Sequence, residues 1–192
     1  SAWSRGASPI GYGGPGLNTT LTPGAAKNRP VTTYARINFT VADPSAIGGV
    51  NVAVTADDGA VVYVNGTEVS RQRMSDGAVD ASTFANASVS TPAARADRQL
   101  VFVPADKLVA GTNTLAVETH LNYRSSSSMT IDGMVKVVTK GDEPAPEPAP
   151  DPEPEPQPQP EVPLTPDPDK PLEVLDVSAL NFGGFLFSGM YW

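Results

Sequence analysis

Three observations predict an all-β fold, an antiparallel jelly-roll β-sandwich followed by a disordered Pro-rich acidic linker. First, apolar and polar residues alternate along Thr32–Val41 and again at Val50, Val52 and Val54, the period of half-buried strands. Second, Asn65-Gly66 separates Val61-Val62-Tyr63-Val64 from Thr67-Glu68-Val69. A type I′ turn needs positive φ at both central residues, which Asn tolerates and Gly adopts freely, so this stretch predicts a tight hairpin. Third, short strand-like runs recur between turn residues with almost no helical periodicity, the pattern of a sandwich.

Taken in order, residues 1–30 are rich in Gly, Pro, Ser and Thr, with Trp3, Ile10 and Tyr12 as isolated large apolar residues. A loop of that kind lays such residues over a core or exposes them for stacking, and packing is the favoured reading. From Thr32, Ile37, Phe39 and Val41 are expected inward, and Pro44 ends the strand because it cannot donate to a ladder. Residues 70–96 read as a long polar connection with a weak strand at 83–89. Leu100-Val101-Phe102-Val103 is a short apolar run closed by Pro104. A single helical turn follows, expected to drop Leu108 and Val109 into the core. In the next strand Leu115 and Val117 share one face, and Ala116, Glu118 and His120 the other. Residues 129–140 supply the last strand or pair of strands.

At Gly141 the composition breaks. Residues 142–171 hold 13 prolines, every second residue from Pro144 to Pro160, and are expected to run as polyproline II. At about 3.1 Å per residue, such a linker reaches on the order of 90 Å. Residues 172–192 turn apolar again but are too few to fold alone. They are expected to open a further domain, and Ser1 to be a cut terminus. The division is therefore 1–141 module, 142–171 linker and 172–192 start of another segment.

Charge follows the same boundary. Residues 1–141 carry 12 Lys/Arg against 10 Asp/Glu, and residues 142–192 carry 1 Lys against 11 Asp/Glu. The module is near neutral, so neither a basic nucleic-acid footprint nor a basic membrane patch is expected. No apolar run is long enough for a membrane span. With no cysteine and a single histidine, disulfide frameworks, thiolate metal sites and multi-His metal sites are excluded.

Asp57-Asp58-Gly59, directly before the hairpin strand, reads as a paired-acid turn. Its carboxylates either cap the turn through the backbone, the favoured reading, or face a cation or sugar. Glu118 and His120 lie two apart on one face. A glycosidase needs two carboxylates about 5–9.5 Å apart across a cleft, and no second acid stands out. No nucleophile-elbow motif accompanies a Ser that His120 could serve. The plainer expectation is that Glu118 pairs with a neighbouring-strand Arg such as Arg36, and that His120 is solvated at a sheet end. Tyr12, Trp3 and Tyr123 are candidates for stacking on a sugar ring.

Several segments taken together carry a resemblance. They are Trp3-x-x-Gly6-x-Ser8-Pro9-Ile10-Gly11-Tyr12-Gly13, then Thr33-Tyr34-Ala35-Arg36-Ile37-x-Phe39, then the run from Asp57 through Asn65-Gly66 to Val69 and Arg71. Leu108-Val109-Ala110-Gly111-Thr112-Asn113-Thr114-Leu115-Ala116-Val117-Glu118 and His120 complete the set. Over about residues 1–140 this resembles the galactose-binding-like β-sandwich accessory module found beside metallophosphoesterases, glycoside hydrolases and other domains in large secreted bacterial proteins. The resemblance implies a non-catalytic module on a secreted or cell-surface bacterial chain, binding a glycan or cell-wall polysaccharide and adjoining other domains. The alternatives are a structural spacer supporting a neighbouring hydrolase, and a module lending loop residues to that enzyme's site. Asp57-Asp58 is also similar to the adjacent-acid motif of anthrax protective-antigen-like sugar-binding domains, which implies Ca²⁺ as a cofactor. Residues such as Asn113 or Asp132 would have to complete its six to eight oxygen ligands. The ligand-binding expectation thus names Asp57, Asp58, Tyr12, Glu118, His120 and Tyr123.

Overall fold

A computed structural model describes residues 3–144. Residues 145–171 of the linker expected at 142–171, and the segment expected at 172–192, lie outside the described residues. In chain order the strands are β1 (Ile10–Tyr12), β2 (Thr19–Thr20), β3 (Thr32–Val41), β4 (Ile47–Asp57), β5 (Gly59–Val64) and β6 (Thr67–Gln72). A helix, α1 (Thr91–Ala96), precedes β7 (Gln99–Pro104), β8 (Gly111–His120) and β9 (Met129–Thr139). They form two sheets, one ordered β2-β1-β9-β4-β7 and the other β3-β8-β5-β6. Every pairing is antiparallel except the short β1–β2 contact, so the jelly-roll sandwich expected from the sequence is what forms.

The alternation predicts the core. On β4, Val50, Val52, Val54 and Ala56 face inward and are buried, with Val103, Ile131 and Met129 from the same sheet. Ala60, Val62 and Val64 of β5 and Leu115 and Val117 of β8 meet them from the opposite sheet. At about 25 cal/mol per Å² of apolar surface removed from water, this layer supplies the main favourable term in folding.

The hairpin forms as expected, with φ of 52° at Asn65 and 82° at Gly66. Asn65 also donates to Asn113 Oδ1 at 2.8 Å and accepts from the Thr114 amide at 3.0 Å. It ties the turn to the start of β8. Asp43 accepts from the Ser45 amide at 2.8 Å and caps the short turn that ends β3.

Four expectations need correction. Ile37 faces inward but is 40% exposed, because β3 is the free edge of its sheet. Leu108 is buried, whereas Val109 is exposed, since one short turn can aim only one of two neighbours at the core. Residues 83–89 form no strand. They belong to a connection that packs Met74 and Ala85 onto Val61, with Tyr63 and Val79 alongside, on the outer face of the four-stranded sheet. Within that connection α1 was not anticipated. Its signal is local, with Ser90 as N-cap accepting from the Ala93 amide and Pro92 in the first turn.

Among the described residues no helix is long and apolar enough to cross a membrane.

Candidate functional site

Asp57 and Asp58 mark the crossover between the sheets. Asp57 closes β4 in the five-stranded sheet, and Gly59 opens β5 in the other. The pair is therefore a junction between layers rather than the turn of a hairpin, and both side chains are buried. Asp58 Oδ1 accepts the Val89 amide and Oδ2 the Asn122 amide, each at 2.9 Å. Asp57 Oδ2 accepts from Thr91 Oγ1 at 2.7 Å and Ser128 Oγ at 2.9 Å. Arg73 completes the junction by donating to Asp58 O at 2.8 Å and Ala56 O at 2.9 Å. Gly59 is required here, because a Cβ would come within 2.7 Å of Arg73 O and 2.8 Å of Met74 Sδ.

Burial pushes the Asp57 carboxyl above its usual range; the Thr91 and Ser128 hydroxyls pull the other way, and Asp58 adds to the rise. Of the four carboxylate oxygens only Asp57 Oδ1 is buried without a partner. Calcium takes six to eight oxygens, and the companions proposed for it lie elsewhere. Asn113 is at the opposite end of β8 and is bonded to Val109 and Asn65. Asp132 faces Thr55 across the ladder and accepts from Ser8 Oγ. This donor set does not fit the ion, and instead of capping their own turn through the backbone the two carboxylates hold loops distant in sequence. Millimolar calcium or EDTA is accordingly expected to leave the melting temperature unchanged, which differential scanning fluorimetry checks directly.

Glu118 and His120 do share the outer face of β8, but their partners differ from expectation. Glu118 stands opposite Tyr34 on β3, while Arg36 stands opposite Ala116. Arg36 instead places its guanidinium 4.4 Å from the centre of the Trp3 ring. His120 is fully buried rather than solvated, because the 73–90 connection covers it. Its Nδ1 lies 2.8 Å from Thr83 O, an atom that can only accept, so that nitrogen carries the proton. Nε2 faces Glu118 Oε2 at 3.4 Å. The histidine anchors the connection to the sheet.

A concave feature lies elsewhere among the described residues, where the N-terminal loop crosses β3. A groove of about 470 Å³ is lined by Trp3, Tyr12, Tyr34 and Arg29, together with Thr22, Thr32 and Thr33; the Thr32 hydroxyl itself donates to Ala81 O. Trp3 is 51% exposed and Tyr34 46%, whereas Tyr12 is buried at the floor. Arg29 stacks 5.3 Å from the Tyr12 ring centre and donates to Ser126 O. Burial raises the Tyr12 hydroxyl's pKa and Arg29 opposes the rise; burial, Glu118 and Asp80 raise that of Tyr34.

Of the residues expected to bind a ligand or to stack on a sugar, Tyr12 and Trp3 line this groove. Tyr123 is exposed in the loop after β8 but is not part of the lining. Tyr34 and Arg29 were missed. The signal for Tyr34 was present, since an aromatic at an outward position of a half-buried strand has nothing beneath it to pack on. Arg29 carried no such signal, because it lies in a loop without periodicity.

No family model matches the sequence, and no curated protein does. Among solved structures, the chain is similar to an α-L-rhamnosidase from Streptomyces avermitilis complexed with L-rhamnose. The identity is 22% and the TM-score 0.39, over 59% of this chain and 9% of that one. It is similar to an α-L-rhamnosidase from Aspergillus terreus at 12% identity and a TM-score of 0.37, over 60% and 13% of the two chains. A β-D-mannosidase from Dictyoglomus thermophilum gives 17% and 0.30, over 47% and 9%. The chain thus spans only 9–13% of the length of these enzymes. At these scores the likeness carries neither family nor activity, and the fold rests on the strand order and register described above.

Proposed function

We propose that this β-sandwich is a non-catalytic carbohydrate-binding module of a secreted or surface-displayed chain. The observation that carries the reading is the groove, which brings Trp3, Tyr12 and Tyr34 to one concavity beside Thr22 and Thr33. Ligand sites combine apolar walls with a few placed polar groups, and aromatic rings offer a large apolar face with a polar rim. A pyranose presents C–H bonds on one face and hydroxyls at its edge, so both halves of the lining have a counterpart on the sugar.

Binding rather than hydrolysis is supported by where the acids lie. None of the described residues lining the groove is a carboxylate. Asp57 and Asp58 are buried and engaged by protein donors, so they do not flank a bond as a glycosidase pair must.

The test is a glycan array followed by calorimetry on the best oligosaccharide. Trp3→Ala and Tyr34→Ala are each expected to weaken binding about tenfold, the scale of losing one stacked ring. Both side chains are half exposed, so melting temperatures should hold. Absence of binding to every glycan would leave the spacer reading in its place.

A further inference from the structure

We infer that the groove is built for an acidic sugar, one carrying a carboxylate such as a hexuronate, with Arg29 as the carboxylate anchor. The inference rests on the glycan-binding reading and names the ligand class within it.

Three observations converge on Arg29. Among the described residues the arginine–carboxylate pairs are Glu68–Arg71 and Asp97–Arg73, so no carboxylate of the described protein neutralises this guanidinium. Its contacts hold it in place without satisfying it: Nη1 donates to Ser126 O, the plane stacks on Tyr12, and Nε is buried without a hydrogen-bond partner. An arginine has five N–H donors in a fixed fork that matches a carboxylate. Finally, the rest of the lining is aromatic, aliphatic, methionine, proline or threonine, which leaves Arg29 as its one charged group.

The other charges nearby are of both signs. Arg36 lies beside the groove, stacked on Trp3, and adds a second positive charge. Asp57 and Asp58 act on the Tyr12 hydroxyl, yet both are buried and held by amides and hydroxyls. A hexuronate would then lay its ring on the aromatics and present its carboxylate to the guanidinium. A charge-assisted contact of this type discriminates strongly against a neutral isostere, because losing it leaves the cation unpaired.

The experiment compares oligogalacturonate with its methyl-esterified form, alongside a panel of neutral oligosaccharides and glucuronate-containing ones. The intact protein is expected to bind a carboxylated member at least about tenfold more tightly than its ester, the scale of one charge-assisted hydrogen bond. That preference should shrink as ionic strength rises. Arg29→Gln should erase the preference and its dependence on ionic strength, and Arg29→Lys should restore part of both. Restoration by the lysine, which cannot reproduce the arginine's fork, separates recognition of the charge by Arg29 from a merely structural role in holding the Ser126 loop. Equal binding of acid and ester by the intact protein, or a preference that survives Arg29→Gln, overturns the inference. Binding confined to neutral sugars and lost in Trp3→Ala overturns it while the glycan reading stands, and binding to no sugar of either kind overturns both.

Discussion

Asp58→Ala is expected to destabilise the protein by about 3 kcal/mol, the largest effect of any single polar truncation at the junction. The substitution strips two part-buried amides of their acceptor at once, those of Val89 and Asn122. Each unsatisfied buried donor costs about 1–3 kcal/mol, which the smaller alanine does nothing to offset. For a chain of this length the melting temperature should fall by about 10 °C. The two amides belong to different loops, one leading into α1 and the other following β8, so both should lose hydrogen-exchange protection together. Asp58→Asn should fall between the variants, because it keeps one acceptor and turns an amide nitrogen toward the other donor. The exposed Glu68–Arg71 pair supplies the contrast. Its two bonds are short, at 2.6 and 2.8 Å, yet breaking it should cost under about 1 kcal/mol, since solvent screens both charges. An Asp58→Ala loss no larger than that of Glu68→Ala, or protection retained at Val89, would falsify the staple.

This result bears on what a sequence can reveal. The alternation on β3, β4 and β8 is legible because a half-buried strand forces period two, and Asn65-Gly66 because few residues accept positive φ. The role of Asp58 is not legible in that way. Its partners sit 31 and 64 residues away, and nothing local marks them as donors. The 73–90 connection shows the same limit from the other side. Its polar composition reads as exposed loop, yet Met74 and Ala85 pack it on the sheet over Val61, and Thr83 O lies over the buried His120. The groove was half legible. Trp3 and Tyr12 stand out as isolated aromatics in a Gly/Pro-rich loop, but the meeting with Tyr34 and Arg29 depends on how that loop crosses the edge strand.

Asp57 carries the second large effect, and its sign is opposite to that of an ordinary paired carboxylate. Burial raises its folded-state pKa above the unfolded value of 3.8. Below that value both states hold the proton and the group is neutral to stability. As pH climbs past it the unfolded chain releases its proton first, so the folded state binds more protons and stability falls. The fall continues until the folded-state carboxyl also ionises, and every tenfold difference in proton affinity between the two states is worth about 1.4 kcal/mol. Asp43 and Asp80 work in the reverse direction. Their hydrogen bonds from Ser45 and Ser82 lower their pKa values, so what they contribute is present above the unfolded value and is lost on acidification. The two trends overlap in the intact protein, and Asp57→Asn separates them. The asparagine oxygen can still accept from Thr91 and Ser128, as Oδ2 does now, while the group no longer titrates. The stability of Asp57→Asn relative to the parent should therefore rise from about pH 4 toward neutrality, measured by denaturant unfolding at a series of pH values. A difference that stays flat over that range would mean that the carboxylate ionises in the fold as easily as in the unfolded chain, and that the unpartnered Oδ1 reaches water.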